Sequence, residues 1–277
     1  MTPDEYCRQK AAASGSSFYY SFLFLPAERR RAITALYAFC REVDDVVDEG
    51  MDPQVAAAKL AWWRAEVANL FAGRPQHPVT RALEPQRGKY GLSAARLNEI
   101  IDGMEMDLRQ SRYLDWAGLE AYCYRVASVV GLLAAGIFGY RDARTLDYAK
   151  NLGIAFQLTN IIRDVGEDAR KNRVYLPVED LQRYGVPAAD ILQSRETAAF
   201  RSLMQFEADR ARGFYDRALS ALPAADRRAQ RPGLIMAAIY RTLLDEIQRD
   251  GFRVLTQRTS LTPLRKFWLA WRTWVAA

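Results

Sequence analysis

The sequence predicts an all-α protein. Two features indicate this class: apolar residues recur with helical spacing along most of the 277 residues, and alternating strand patterns with tight hairpin turns are nearly absent. Half of the residues are hydrophobic and 26% are charged, which is a globular composition with enough apolar material for a sizeable core. No low-complexity linker or internal repeat divides the chain. Because this length is near the upper limit for one hydrophobic core, we expect a single helical domain over residues 1–277.

Seven helices are predicted from periodicity and from Pro and Gly punctuation. The first follows Pro26 and runs to about Glu49, where Gly50 and Pro53 interrupt the pattern. The others are expected at residues 55–71, 94–108, 118–138, 143–162, 189–222 (with a break near its start) and 232–255. The uncharged stretch at 126–140 is shorter than the roughly 20 residues that a bilayer requires, so we predict a buried helix there.

Composition narrows the classes of function. The single histidine, His77, sits in a Pro-rich turn, which argues against a histidine metal site or a Ser-His-Asp triad. Cys7, Cys40 and Cys123 lie far apart, and the N-terminus lacks an apolar core region, so we expect a reducing cytoplasm and no secretory signal. A net charge of +6 suits nucleic acid, anionic lipid or phosphorylated substrates. Because the basic residues are scattered and no recognised module is found, we expect no nucleic-acid partner.

The first acidic cluster lies in the helix predicted at 26–49. Asp44 and Asp48 stand one turn apart, about 6 Å along the axis, and Tyr37 and Arg41 extend the same polar stripe. Carboxylates at this spacing can share divalent cations while a diphosphate oxygen completes the shell, which suits Mg²⁺ because it keeps several waters. Arg41 either forms an ion pair with these acids or grips a diphosphate with its planar fork.

The second acidic cluster has the same spacing. Gln157, Asn160, Asp164 and Asp168 share one helical face, and the ligand set is oxygen-only, which indicates a hard cation rather than zinc. Arg163 has the same two interpretations as the arginine of the first cluster.

Either cluster alone can be a solvated acidic face, because charges at i, i+4 are common on helices. Both helices, however, carry strongly apolar flanks that indicate burial. Buried carboxylates within about 4 Å repel by several kcal/mol at an effective dielectric of 20, and a cation relieves that repulsion. We therefore predict two metal-binding helices that face each other across a cavity. A further stripe, Asp102, Glu105 and Asp107, is expected on the surface or behind the site.

The residues around these clusters resemble the squalene/phytoene synthase family. One family signature is matched throughout by Leu152-Gly-x-x-x-Gln157-x-x-Asn160-Ile-x-Arg163-Asp164-Val-x-x-Asp168 and Arg173-x-Tyr175-x-Pro177, and the other is similar to Tyr122-Cys123-x-x-Val126-Ala127-x-x-Val130-Gly131. The likeness spans roughly residues 14–258. It implies an isoprenoid-synthase fold, with helices around a central cavity.

The resemblance also implies residue roles. It assigns metal binding to Asp44, Asp48, Asn160, Asp164 and Asp168, and catalysis to these aspartates with Tyr37. It assigns substrate contacts to Ser14, Gly15, Ser16, Ser17, Tyr37, Arg41, Gln157, Arg163, Tyr240 and Arg258. Some relatives carry a histidine in place of Ser14. The implied cofactor is Mg²⁺, with Mn²⁺ as a substitute, and no nicotinamide is expected.

The segments at 14–26 and 253–261 look most like bacterial presqualene diphosphate synthases of hopanoid-type pathways. This implies head-to-head condensation of two farnesyl diphosphates to presqualene diphosphate, with release of diphosphate. Phytoene synthase and complete squalene synthase are alternatives. A non-catalytic assembly protein of the same fold is an alternative of another class, against which the intact acids argue. The base that removes the proton is either the departing diphosphate or Tyr37, Tyr122 or Tyr240.

Several residues have two interpretations. A carbocation needs a dry lining, for which the candidates are Phe18, Phe22, Tyr122, Leu133, Phe156 and Leu158, although core packing is favoured for each. Gly131 either leaves room for a chain or lets two helices approach. Arg170, Lys171 and Arg173 either close over the diphosphate or are solvated loop charges.

The C-terminal segment at 261–277 mixes three tryptophans with basic residues. It is predicted either to lie on anionic lipid as an interfacial helix or to dock on the protein's own core. The expected location is the cytoplasm, with peripheral contact at the inner face of the membrane.

Overall fold

The computed structural model describes residues 1–13, 18–22, 24–48 and 52–276, and these residues form a helical bundle. The helices are α1 (Pro3–Ala13), α2 (Phe18–Phe22), α3 (Ala27–Asp48), α4 (Pro53–Phe71), α5 (Pro78–Leu83), α6 (Ala94–Arg109), α7 (Trp116–Cys123), α8 (Val129–Phe138), α9 (Arg144–Arg170), α10 (Val178–Arg183), α11 (Ala188–Leu192), α12 (Ala198–Ala221), α13 (Arg231–Arg249) and α14 (Pro263–Ala276). No β-strand occurs within the described ranges, where one isolated bridge joins Arg112 and Val174. The all-α prediction is confirmed.

Local capping explains several helix starts. The Asp52 carboxylate accepts from the backbone N–H of Gln54 and starts α4, with Pro53 in the first turn. Ser93 caps α6 and Thr197 caps α12 in the same way. These starts agree with the sequence to within two residues for α4 and α6, and α12 begins after the predicted break.

Two predicted helix ends are wrong. α9 continues to Arg170, two turns beyond position 162, and therefore carries both Asp164 and Asp168. α13 ends at Arg249 and not at 255, because Gly251 (φ 71°) and Phe252 (φ 58°) adopt left-handed backbone and reverse the chain. The reversed segment packs its backbone against α9 at Gly166, whose N–H donates to the Val254 carbonyl at 3.1 Å. A side chain at Gly166 would collide with the Leu255 carbonyl.

The apolar stretch predicted as a buried helix lies inside the bundle. α7, a π-helical turn (Tyr124–Ser128) and α8 follow one another without a break. By length and composition, Trp116–Phe138 is the one segment of the described chain that passes as a membrane span, with a mean hydropathy of 1.6. Core helices of soluble proteins pass the same test. Here half of the most apolar window is buried, and the segment contacts α3, α6 and α9.

Close approach at the π turn depends on glycine. A Cβ at Gly153 of α9 would lie 2.5 Å from the Ser128 Cα, and a Cβ at Gly103 of α6 would lie 2.7 Å from a Val126 methyl. The Ser128 hydroxyl donates to the Lys150 carbonyl at 2.6 Å. These contacts fix the turn between α6 and α9, so that Val126 reaches the interior.

Two groups of buried apolar residues make up the core. One draws mainly on α9, α12 and α13, and the other on α3 to α6. Phe18, Tyr124 and Val126 pack against both groups. The single-domain organisation stays a prediction.

We predict that Gly166→Ala lowers the free energy of unfolding by about 1–3 kcal/mol, because the new methyl group forces α9 away from the 254–255 backbone. Gly213→Ala on α12 is the matched control, since its Cβ meets only the flexible end of Arg217 at 3.5 Å. The control should stabilise the protein by about 0.5–1 kcal/mol through helix propensity. Urea denaturation of both variants checks this, and equal midpoints would contradict the packing at Gly166.

Candidate active site

Two adjoining cavities lie between α3, α8, α9 and α13. The polar cavity has a volume of about 360 Å³, and the apolar cavity has a volume of about 170 Å³. They share the lining residues Phe18, Tyr37, Cys40, Val126, Gln157, Asn160 and Tyr240. The polar, charged cavity therefore adjoins the apolar cavity within the bundle.

The structure brings most of the predicted site residues to the polar cavity. Those that line it are Tyr37, Arg41, Asp44, Gln157, Asn160, Arg163, Tyr240 and Arg258. Asp164 lies beside it through its contacts with Arg163 and Arg258. Ser14, Gly15, Ser16, Ser17 and the side chain of Asp48 fall outside the described residues.

α3 brings an arginine and an aspartate to the cavity. Arg41 donates to Asp44 at 2.6 Å and to Asp45 at 2.5 Å. The last turn of α3 contains no basic residue, so its acids meet the negative end of the helix macrodipole. Arg41 supplies the compensating charge from one turn back.

α9 repeats this arrangement on the opposite wall. The Arg163 Nε donates to Asp164 at 2.7 Å, and the Arg258 Nε donates to the same carboxylate at 2.9 Å. Burial opposes ionisation of Asp164, but the hydrogen bonds and charges of these two arginines outweigh burial and lower its pKa. Asp164 is therefore an anion held by two guanidinium groups.

Asp168 has the opposite environment. Burial is the main cause that raises its pKa to about 7, and the charge of Asp164 one turn away is the next. Asp107 adds to the repulsion, whereas Lys171 and Arg173 oppose it. Ionisation of Asp168 is therefore costly, mainly because the carboxyl group is removed from water.

Asn160 tests whether these residues fit a metal ion. Its Oδ1 is buried and has no hydrogen-bond partner in the described part of the chain, and its Nδ2 lies 3.5 Å from the Gln157 Oε1. Buried polar atoms are usually paired, so this carbonyl oxygen is available to accept a hydrogen bond or to bind a cation. An amide oxygen next to carboxylates is the donor set that Mg²⁺ prefers, and the residues fit such an ion.

The described residues do not form a ready-made metal cage. Among residues 1–13, 18–22, 24–48 and 52–276, no three His, Cys, Asp or Glu side chains converge as metal ligands. Asp44 and Asp164 are instead turned onto arginines. A metal ion bound by these acids would compete with the arginines for the same carboxylates.

Lys266 is a cavity residue that the sequence reasoning did not select. It lines the polar cavity from α14, together with Arg258. Burial is the main cause that lowers its pKa, and the charges of Arg163 and Arg258 add to the effect. The signal was available: Lys266 shares a helical face with Leu269 and Ala270, which are both buried.

Tyr122 lines the polar cavity, and its hydroxyl is hydrogen bonded to a carboxylate. It donates to one oxygen of Asp107 at 2.9 Å, and Tyr175 donates to the other at 2.8 Å. The two tyrosine rings stack with centroids 5.3 Å apart. Burial, followed by the Asp107 charge, raises the pKa of Tyr122 well above its usual value, so the hydroxyl is protonated at neutral pH.

The other charged residues selected from the sequence either lie on the surface or link segments of the fold. Asp102 and Glu105 pair with Arg64 at 2.6 and 2.8 Å, away from both cavities. Arg173 points a guanidinium nitrogen at the Val47 carbonyl at 3.4 Å, which ties the loop after α9 to the end of α3. Arg170 and Lys171 are exposed.

The apolar cavity clarifies the candidates for a dry lining. Phe18, Phe22 and Phe156 line it, whereas Leu133 and Leu158 are buried core residues elsewhere. Gly131 lets two helices approach, which is one of the two interpretations offered for it. It lines the cavity, and a Cβ there would lie only 2.7 Å from the Ala149 carbonyl oxygen.

Comparison with known proteins identifies the family. The family model described as squalene/phytoene synthase matches residues 11–265. The chain belongs to the squalene/phytoene synthase family. It is therefore a prenyltransferase-type enzyme of a family that acts on prenyl diphosphates with a divalent metal. The family predicted from the signatures is confirmed.

Individual relatives agree with this assignment. A phytoene synthase from Arthrospira platensis is 36% identical over 95% of this chain and 89% of its own length. A crystal structure of a dehydrosqualene synthase has a TM-score of 0.87 at 28% identity and covers 99% of this chain and 96% of its own. The squalene synthase HpnC from Alicyclobacillus acidocaldarius has a TM-score of 0.82 at 29% identity and covers 90% of this chain and 94% of its own. The isoprenoid-synthase fold is confirmed.

We predict that Asp168 makes the metal-free protein less stable as the pH rises. Its raised pKa means that the folded state holds a proton that the unfolded state releases, so this stability is present at low pH and is lost as the pH rises through about 7. Asp168→Asn is neutral at every pH. Its melting temperature in chelator should therefore exceed the parent's by an increasing margin from about pH 5 to about pH 8.

Magnesium supplies the internal control for this experiment. It should stabilise the parent more than Asp168→Asn and so narrow the difference at the higher pH. If the difference in melting temperature between the two proteins does not change with pH, the raised pKa of Asp168 is contradicted.

Proposed function

We propose that this protein joins two prenyl diphosphates head to head at the junction of its two cavities. The observation that carries the proposal is the adjacency of a basic, oxygen-rich cavity and an apolar one. Arg41, Arg163, Arg258 and Lys266 line the first cavity, and aromatic and aliphatic side chains line the second. A prenyl diphosphate has the matching shape, with an anionic head and a hydrocarbon tail.

The basic residues bind the diphosphate group and promote its departure. Arg41 and Arg163 present planar forks that bind diphosphate oxygens in pairs. A divalent cation held by Asp44, Asp48, Asn160, Asp164 and Asp168 would supply further positive charge to the leaving diphosphate. Charge drawn onto that group lets the C1–O bond ionise to an allylic cation.

The apolar cavity serves the second part. Its lining excludes water, which would otherwise quench the cation. The alkene of the second substrate attacks the cationic carbon, and proton loss closes a cyclopropane. Burial raises the pKa of Tyr122 and of Tyr240, so both hydroxyls are protonated and suited to donate hydrogen bonds rather than to act as bases. We therefore favour the departing diphosphate over these two tyrosines as the base, and Tyr37 stays an alternative.

Farnesyl diphosphate is the proposed substrate and presqualene diphosphate the proposed product. Support comes from the sequence segments at 14–26 and 253–261 and from the two solved relatives named dehydrosqualene synthase and squalene synthase. Phytoene synthase is the second candidate. Phytoene synthases from Arthrospira platensis and Synechocystis favour it, because both are 36% identical over nearly the whole chain.

Product analysis separates these candidates. Purified protein is incubated with farnesyl or geranylgeranyl diphosphate and Mg²⁺ or Mn²⁺, with and without NADPH, and the products are identified by mass spectrometry. We expect the same cyclopropyl diphosphate from farnesyl diphosphate in both arms, without a nicotinamide requirement. Squalene formed only with NADPH would identify a complete squalene synthase, and preferred phytoene formation would identify the second candidate. No product from either substrate would favour a non-catalytic protein.

We predict that Asp44→Asn and Asp164→Asn each lower turnover at least about 100-fold, because the charge stabilisation from a bound metal is worth several kcal/mol. Circular dichroism and melting temperature check that each variant is folded. Asp102→Asn on α6 is the matched control, since this acid lies away from both cavities, and it should retain parental turnover. Full activity of either site variant, or of the parent in excess chelator, would refute the metal assignment.

We also propose that α14 rests on the inner face of an anionic membrane. One face docks on the protein: Leu269 and Ala270 are buried, and Trp274 stacks on Phe24 at 5.1 Å. The opposite face exposes an apolar stripe of Leu264, Phe267, Trp268, Trp271 and Val275 at helical spacing. The helix contains three basic residues and no acidic ones, which suits anionic lipid. Lys266 of the same helix lines the polar cavity. A substrate dissolved in the lipid would therefore reach the protein close to this cavity.

We predict that Trp268→Ser with Trp271→Ser weakens binding to phosphatidylserine-containing vesicles about tenfold or more, because both side chains are half-exposed on the stripe. Sedimentation with vesicles measures the bound fraction, which should also fall as salt rises. Trp62→Ser on α4 is the control, because Trp62 is 48% exposed at a different site. Equal loss in both variants, or no loss, would contradict the proposed contact.

A further inference from the structure

Arg41 of α3 is shared between two neighbouring aspartates. One terminal nitrogen of its guanidinium donates to Asp44 at 2.6 Å, and the other donates to Asp45 at 2.5 Å. The two acids follow Arg41 by three and four residues, so both lie one turn further along the helix. A planar guanidinium can reach two separate carboxylates because its donors point in fixed directions. Arg41 is therefore held by two carboxylates at once.

The two aspartates face different sides of α3. Asp44 lines the polar cavity, whereas Asp45 lines a separate outer cavity of about 270 Å³ between α1, α3 and α4. Successive residues of a helix point about 100° apart, which accounts for this division. A cation in the polar cavity is thus placed to bind Asp44, while Asp45 stays with Arg41.

Lys10 of α1 fixes Asp45 from the outer cavity. Its ammonium nitrogen lies 2.8 Å from the second oxygen of Asp45 and 3.0 Å from Glu42. Burial opposes the charged form of Lys10, but its hydrogen bonds to both acids outweigh burial and raise its pKa. The Tyr6 hydroxyl donates to Glu42 at 2.7 Å and supports the same group of charges. The carboxylate of Asp45 is thus held between Lys10 and Arg41.

We propose that Asp45 is a positioning residue, which keeps Arg41 in place when a cation takes Asp44 and so directs the other guanidinium nitrogen to the diphosphate. The proposal rests on the proposed function, which assigns Arg41 to the diphosphate and Asp44 to the metal. Asp45 contacts neither of these ligands and acts through Arg41. An arginine held by Asp44 alone would regain side-chain rotation when that acid is taken, and fixing it again on the substrate would cost conformational entropy.

Asp45→Asn tests the shared arrangement. Without the second acid, both nitrogens of Arg41 turn to Asp44, and a cation must displace a stronger ion pair. The affinity for Mn²⁺ alone should therefore fall about tenfold, which corresponds to ~1.4 kcal/mol, the size of one intramolecular hydrogen bond. Electron paramagnetic resonance of unbound Mn²⁺ measures this affinity without any turnover.

Glu42→Gln is the matched control. Glu42 pairs with the same lysine and lines the same outer cavity as Asp45, but it does not line the polar cavity. The variant removes one negative charge and one tie between α1 and α3, and it leaves the pair between Asp45 and Arg41 intact. Its Mn²⁺ affinity should stay within about twofold of the parental value, because a partly exposed ion pair is worth little. An equal loss in Glu42→Gln and Asp45→Asn would overturn the role of Asp45.

Two longer side chains separate charge from shape at the same position. Asp45→Glu keeps the negative charge and the i, i+4 spacing to Arg41, so it should restore most of the parental affinity. Asp45→Gln has the same length without the charge and should bind Mn²⁺ as weakly as Asp45→Asn. If Asp45→Asn does not fold, this pair decides the question, and equal affinities in the two variants would overturn the role.

A double-mutant cycle tests whether the effect passes through the arginine. Loss of a negative charge near a cation site weakens binding even when no arginine is involved. In the Arg41→Met background, Asp45→Asn should have little further effect on Mn²⁺ affinity, because the side chain that it positions is absent. An equal loss in both backgrounds would show that Asp45 acts on the cation directly and would overturn the proposal.

Kinetics separates this proposal from the proposed function. With farnesyl diphosphate, the Mg²⁺ concentration for half-maximal turnover should rise about tenfold in Asp45→Asn, in step with the binding data. Turnover by the parent with the same metal dependence in Asp45→Asn would overturn the role of Asp45 and leave the proposed function intact. No turnover of farnesyl or geranylgeranyl diphosphate by the parent would overturn the proposed function, and the Mn²⁺ titrations would still decide the role of Asp45. A parent that binds no Mn²⁺ would overturn that role too.

Discussion

Ion pairing between partly buried carboxylates and arginines near the ends of α3 and α9 is the interaction on which the site depends. Both helices carry acids close to their C-terminal ends, where the macrodipole disfavours negative charge. In the free protein Arg41 neutralises Asp44, while Arg163 and Arg258 neutralise Asp164. The two arginines beside Asp164 lower its pKa and so keep this acid ionised. We propose that a diphosphate with a divalent cation offers both sets of charges better partners, so that the same groups also recognise the substrate.

The helical packing makes this arrangement possible. Gly153 lets the π turn approach α9. Nearer the C-terminal end of the same helix, Gly166 lets the 254–255 backbone pack against it. The second contact directs the chain toward Arg258 and then into α14, which returns Lys266 to the cavity. Segments distant in sequence therefore complete one basic cavity. The compartment beside it is lined mostly by apolar side chains.

The sequence predicted the local part of this structure well. The spacing of acids and amides on α3 and α9 identified Asp44, Asn160 and Arg163, because one helical face is determined by sequence separation alone. It did not select Lys266, nor did it predict that Tyr175 would join Tyr122 on Asp107, since those contacts depend on how distant segments fold together. The end of α13 was placed too late because Gly251 alone did not reveal the left-handed Phe252 after it. One face of the C-terminal helix docks on the protein's own core, as one of the two alternatives predicted, and contact of its exposed face with lipid stays a proposal.

We propose that metal and diphosphate bind to this site cooperatively. Calorimetric titration of Mg²⁺ into the metal-free protein, with and without inorganic diphosphate and corrected for the complex that the two form in solution, tests it most directly. If the arginines must leave the aspartates before a cation can bind, diphosphate should raise the affinity for Mg²⁺ at least about tenfold, and Mg²⁺ should raise the affinity for diphosphate by the same factor. Equal Mg²⁺ affinity with and without diphosphate would contradict the account.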